Sequence, residues 1–173
     1  MRRLIPALLV AAPLALAAQS KELTLLDYHV TPPASWSPRA PSSSSRLAEF
    51  TLPGTADGSG EIVVYFFGPQ QQPNVDANLA RWKGQFSHLD GSPVVERVTR
   101  DSTGAFPLVF AEYEGSYRRG IGAGSADSVR TGQRLVAAIV PTPRGTMYVQ
   151  MFGAAPRVAA ERDAFTSFVK GIR

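Results

Sequence analysis

The chain has 173 residues and no cysteine, which excludes a disulfide framework, a thiolate metal site and a lipidated cysteine. Its 18 basic and 14 acidic residues leave a net charge of +4, or +2 once Arg2 and Arg3 are set aside. That excess is too small to predict a nucleic acid or a membrane surface as partner.

The first residues read as an export signal. Arg2 and Arg3 give a positive start, Leu4 to Leu16 form an apolar run broken only by Pro6 and Pro13, and Ala15-Leu16-Ala17 supplies a small-x-small cleavage pattern. The run is too short to cross a bilayer core of about 30 Å as a helix. An uncleaved anchor is the competing reading. Residues 1–18 are therefore expected to be removed near Ala17 or Ala18, leaving a periplasmic or secreted protein with no transmembrane segment. The 155 residues from Gln19 onward suffice for one domain with its own apolar core.

Residues 19–45 read as a lead-in followed by an irregular segment. Pro32, Pro33, Pro38 and Pro41 precede Ser42 to Ser45, a composition that cannot continue a helix or a central strand. Trp36, in its middle, is expected to plug one end of the core. The single domain is expected over 46–173 and to include residues from about 28. A strand is predicted at Arg46 to Leu52, with Ala48, Phe50 and Leu52 on one side and Glu49 and Thr51 on the other. Glu61 to Phe67, apolar on both faces, predicts a central strand.

The spacing of Val75, Leu79, Trp82 and Phe86 predicts a helix from Asn74 to about Phe86. Asn74 caps it, and Gly84 marks either its end or a close approach. Four further strands are predicted at Pro93 to Arg100, Leu108 to Tyr117, Arg134 to Val140 and Thr146 to Phe152. The last two are joined by the turn Pro141-Thr142-Pro143-Arg144-Gly145. A polar, glycine-rich loop runs from Arg118 to Gly132. A helix from about Pro156 to Ile172 closes the chain and buries Val158, Phe165, Phe168, Val169 and Ile172.

The order is strand, strand, helix, four strands, helix. It lacks alternating βαβ units and predicts an α+β fold, an antiparallel sheet of about six to seven strands flanked by two helices. Three stretches carry a resemblance: Asn78-x-x-Arg81-Trp82-x-Gly84-Gln85-Phe86, Gly115-Ser116-Tyr117, and Leu135 to Phe152 running into the last helix. With the Pro33-x-x-Trp36 start, they resemble a group of uncharacterised exported bacterial proteins, over roughly Tyr28 to Ile172. The element order is similar to the PsbP-like fold. PsbP is an extrinsic, non-enzymatic subunit of photosystem II, so the resemblance implies an accessory protein rather than an enzyme. It supplies no catalytic or ligand residues to carry over.

The residues offer no complete catalytic set. His29 and His88 stand apart without metal-ligand spacing, and neither a nucleophile elbow nor a phosphate-binding loop of the Walker type is present. Ser167-x-x-Lys170 lacks its partner motifs, and Gly120-x-Gly122-x-Gly124 leads into a strand rather than a helix. Glu112 and Glu114 project from one strand face, where a pair of carboxylates could do acid–base work or simply meet solvent. No cofactor is expected. Arg118 and Arg119 open the glycine-rich loop, and Arg130 and Arg134 close it, with Asp127 nearby. Of these, Arg118, Arg119 and Arg134 are the candidate contacts for an anionic group, since guanidinium forks grip carboxylate and phosphate. The sequence thus points to an exported, non-catalytic binding or accessory domain of the bacterial cell envelope. Its partner would be a protein or an anionic envelope component. The alternatives are a small-ligand carrier and a carboxylate-based hydrolase.

Overall fold

A computed structural model describes residues 21–55, 60–71, 74–118 and 129–173. The segment read from sequence as an export signal lies outside the described residues. A short hairpin comes first, β1 (Leu23–Leu25) and β2 (Tyr28–Val30), turning through Leu26 at φ 57°. Its Leu25 and Val30 are buried in the core. The C-terminal Arg173 exchanges two backbone hydrogen bonds with His29, at 2.8 and 3.2 Å, and so pins the chain end to β2.

One antiparallel sheet of eight strands follows: β3 (Ser37–Arg39), β4 (Arg46–Thr51), β5 (Glu61–Phe66), β6 (Phe86–Ser87), β7 (Val95–Asp101), β8 (Leu108–Tyr117), β9 (Arg130–Thr142) and β10 (Gly145–Ala154). The spatial order is β3-β4-β5-β10-β9-β8, and β6 and β7 share the outer edge of β8. The architecture is α+β, as the element order predicts, but the sheet has eight strands rather than six to seven, because β3 and β6 join the six that the sequence predicts. Both additions are short. β3 carries Pro38 and is tolerated because it lies at the sheet edge, where a missing N–H breaks no ladder.

Helix α1 (Val75–Lys83) is capped by Asn74, whose side-chain oxygen accepts from the Ala77 N–H at 3.0 Å. It ends at Gly84, earlier than the apolar spacing predicts, and Phe86 sits in β6 opposite Tyr117. Phe86 still joins Trp82 in the same core, because the chain doubles back along the same sheet face. Helix α2 (Ala155–Lys170) covers the other face with Val158, Phe165, Phe168 and Val169. Trp36 plugs the end of that second core. It contacts Phe50 and Phe168 at ring centroid distances of 5.6 and 5.1 Å and donates its Nε1–H to Glu161 at 2.9 Å.

The strands between the helices are buried on both faces, which explains their nearly continuous apolar runs. On β9, Val136, Ala138 and Val140 face α2, while Leu135, Ala137 and Ile139 face the α1 side. No helix among the described residues is long and apolar enough to cross a membrane.

Candidate functional site

Helix α1 is only nine residues long; it packs over β8 and reaches Tyr148 of β10 through Trp82. Among the described residues no helix covers β5 and β4 on that face, and side-chain alternation lays a row of polar and aromatic groups along them and β10. The register places Arg46, Tyr65 and Tyr148 in one row across the strands. Phe152 lies opposite both Glu61 and Leu135 in another, with Gln150 between the two rows. The result is a trough of about 770 Å³. Tyr65, Tyr148, Gln150 and Phe152 lie along its floor, Arg81, Trp82 and Gln85 form its α1 wall, and Tyr117 and Arg118 close one end.

Aromatic rings gather at both ends. Tyr65 stacks on Phe67 at 5.9 Å and 6°, and Phe67, half exposed, also meets Tyr148 at 6.0 Å. At the other end Tyr117 packs on Phe152 at 4.5 Å and on Phe86 at 5.4 Å. Two buried polar atoms beside the trough, Trp82 Nε1 and Tyr148 Oη, make no hydrogen bond of proper geometry among the described residues. Burial pushes the Tyr148 hydroxyl above its ordinary pKa, with Asn78 and Arg81 on α1 partly offsetting that.

Three arginines and one carboxylate, Glu61, line the trough, and the arginines are not equivalent. Arg46 is committed: it lies 3.2 Å from Glu49 and 3.4 Å from Glu61, and its guanidinium stands 5.2 Å from the Tyr65 ring centre. Arg81 donates to Asn78 at 3.0 Å and stands over Trp82, but meets no carboxylate among the described residues. Arg118 is exposed and has no side-chain partner among them; its backbone N–H is held by the Gln85 carbonyl at 2.8 Å. That corner depends on Gly115, where a Cβ would come within 2.8 Å of the Ser87 carbonyl oxygen.

Beside the trough lies a carboxylate, Glu49, that alternation assigns to the side away from Ala48 and Phe50. It is buried. The Glu49 side chain is 0% exposed, since residues 42–45 turn back over it. Its oxygens accept from the Ser42 N–H at 2.5 Å, the Ser42 hydroxyl at 2.8 Å and Arg39 at 3.1 Å. Burial alone would raise its pKa, but the Ser42 hydrogen bonds and the two guanidiniums outweigh it and hold the carboxyl below its usual range.

The arginines singled out from sequence fall in different places. Arg118 lines the trough. Arg134 projects toward the α2 side and is bound through its Nε to Glu114 at 2.9 Å, so it does not join Arg118 in one cluster. Arg119 lies outside the described residues, as do Asp127 and the glycines at 120, 122 and 124. Arg130 pairs with Tyr117 at the start of β9. Glu112 is likewise engaged, accepting from Arg162 on α2 at 2.7 Å, so each carboxylate of the β8 pair faces its own arginine. Lys170 is salt-bridged to Asp101 at 2.5 Å. Among the described residues no group of three His, Cys, Asp or Glu side chains could hold a metal ion. Sequence reasoning missed Arg46, Arg81, Gln85 and Gln150 as neighbours. The available signal was the stretch carrying the resemblance, since Arg81, Trp82, Gly84, Gln85 and Tyr117 all line the trough.

No protein-family model matches the chain, and no curated protein matches it. Among solved structures it is similar to the solution structure of cyanobacterial PsbP (CyanoP) from Synechocystis sp. PCC 6803. The TM-score is 0.54 and the identity 11%, over 95% of this chain and 98% of that one. An identity this low speaks to architecture alone. With a sheet between two helices, matched over nearly the whole length of both chains, this protein has the PsbP-like fold.

Proposed function

We propose that this protein is an exported, non-catalytic binding domain of the bacterial cell envelope, and that the trough beside α1 takes an anionic group. The observation that carries this reading is the pair Arg81 and Arg118, two guanidiniums on one concavity with no carboxylate partner among the described residues. Cations without a carboxylate partner in a concave site, beside aromatic rings, favour an anion that can be gripped bidentately. Of the arginines at the β8–β9 loop, Arg118 is the contact this reading uses. The PsbP-like fold is consistent with an accessory role, and the pairing of Glu112 and Glu114 with arginines leaves neither poised for proton transfer. The trough volume, within the roughly 300–1,000 Å³ of small-molecule sites, also suits the carrier reading.

Two results test the proposal. Protein recovered from its native host should begin at Ala18 or Gln19 and be found outside the cytoplasm; intact Met1 on cytosolic protein contradicts export. A pull-down of envelope components should yield an anionic partner that is lost with Arg118→Ala and weakened by salt, because exposed charges are screened beyond about 8 Å at physiological ionic strength. One charge-assisted hydrogen bond is worth about 1.5–3 kcal/mol, so the loss should be tenfold or more. Equal recovery by wild type and variant at low and high salt overturns anion binding by this trough.

A further inference from the structure

We infer that the ligand of the trough is an acidic glycan, an oligosaccharide bearing carboxylates, an inference that rests on the trough being an anion site. Three observations carry it beyond a simple anion.

The first is length. The lining runs from Arg46 on β4 through Tyr65, Tyr148 and Leu135 to Tyr117 on β8, five adjacent strands in the order β4-β5-β10-β9-β8. At about 4.8 Å between neighbouring strands the trough spans roughly 19 Å. A phosphate or a single aromatic acid would occupy one end of it, whereas a chain of rings uses the whole.

The second is the distribution of the aromatics. Phe67 with Tyr65 stands at one end and Tyr117 with Phe152 at the other. A pyranose ring is polar at its rim and presents C–H groups on its faces. Those weakly positive C–H groups suit the negative face of an aromatic ring, and the contact removes apolar surface from water. Two platforms at the two ends of the trough suit rings near the two ends of one short chain.

The third is the kind of polar group between them. Gln85 and Gln150 line the trough, and their carboxamides have no side-chain hydrogen-bond partner among the described residues. A carboxamide both donates and accepts, and so does a hydroxyl, whereas a carboxylate or phosphate only accepts. A flat aromatic anion would use the rings, the arginines and at most the N–H donors of these amides, and would leave their carbonyl oxygens facing water. A sugar chain uses all three classes: rings on Phe67 and Tyr117, hydroxyls on Gln85 and Gln150, and a uronate carboxylate on Arg81 or Arg118.

The test is calorimetric titration of the mature protein with four probes. They are a tetrasaccharide of alternating glucuronate and N-acetylglucosamine, tetragalacturonate, the neutral chitotetraose, and 1-naphthoate. At least one acidic tetrasaccharide should bind tenfold or more tightly than chitotetraose and 1-naphthoate. Its affinity should fall about tenfold or more in Arg118→Ala, and also in Phe67→Ala and Gln150→Ala. Phe67 and Arg118 are exposed, so their variants should melt with the parent, and a matched melting curve separates lost binding from lost structure. If 1-naphthoate binds in an Arg118-dependent manner and neither acidic tetrasaccharide does, the glycan inference is wrong while the anion site stands. If no probe binds, the glycan inference is wrong, and the salt-dependent pull-down decides whether the anion site stands. If chitotetraose binds as tightly as the acidic chains and Arg118→Ala changes nothing, the ligand is not an acidic glycan.

Discussion

Replacing Trp82 by alanine should cost about 3–5 kcal/mol, a large share of the 5–15 kcal/mol that usually holds a domain together. Trp82 is 1% exposed, the only buried residue of α1, and meets Tyr148 edge-on at 6.4 Å. Its removal deletes the main contact by which a nine-residue helix is held to the sheet, and a helix that short has little stability of its own. The cavity would open toward the trough, so water could enter, and the cost should lie toward the lower part of that range. Urea unfolding followed by circular dichroism measures it directly. Trp82→Phe, which keeps a ring on Tyr148, should recover much of the loss. A variant with alanine that unfolds at the parent's midpoint would show that α1 is not anchored through this side chain.

The second large effect belongs to Glu49. Glu49→Ala should destabilise by about 3 kcal/mol, the lower end for breaking a buried ion pair. The carboxylate is out of contact with water, but its partner Arg39 is 39% exposed, and Arg46, at 17%, keeps Glu61 as a second acceptor. Solvent and the remaining carboxylate therefore screen part of what is lost. The pH dependence has a definite sign. The folded-state pKa of Glu49 is depressed, so its contribution is fully present above the unfolded value of about 4.5 and is lost as pH falls through the folded value. The stability gap between wild type and Glu49→Gln should accordingly be widest near neutral pH and narrow in acid below about pH 4.5. A gap that is constant from pH 7 to pH 3 would mean that the carboxyl is not held ionised by Ser42 and the arginines.

Much of the fold was legible before any coordinates. β8 runs from Leu108 to Tyr117 as the alternation predicts, and α2 buries the five apolar residues that the helical spacing selects, Ile172 just beyond its last turn. Such signals are local, because a strand repeats every two residues and a helix every 3.6. β3 and β6 were not legible, since segments of three and two residues are too short to show a period. Phe86 shows a related limit. Its spacing from Trp82 suits a helix, but Gly84 ends α1 first, and the same side chain reaches the same core from a strand. Glu49 shows another: alternation says which side a residue takes, not whether another segment covers that side.

The sequence by itself determined the α+β class, the two amphipathic helices, the buried central strands and the absence of thiol chemistry, because each rests on residue type and local spacing. Only the tertiary structure decided the rest. Strand order and register are pairings between distant segments, and they alone bring Arg46, Arg81 and Arg118 to one trough while turning Arg134 to the opposite face against Glu114. Which arginine is free follows from where the carboxylates of other strands come to lie. Glu49 and Glu61 take up Arg46, and Arg118 is left facing the trough with no carboxylate beside it among the described residues.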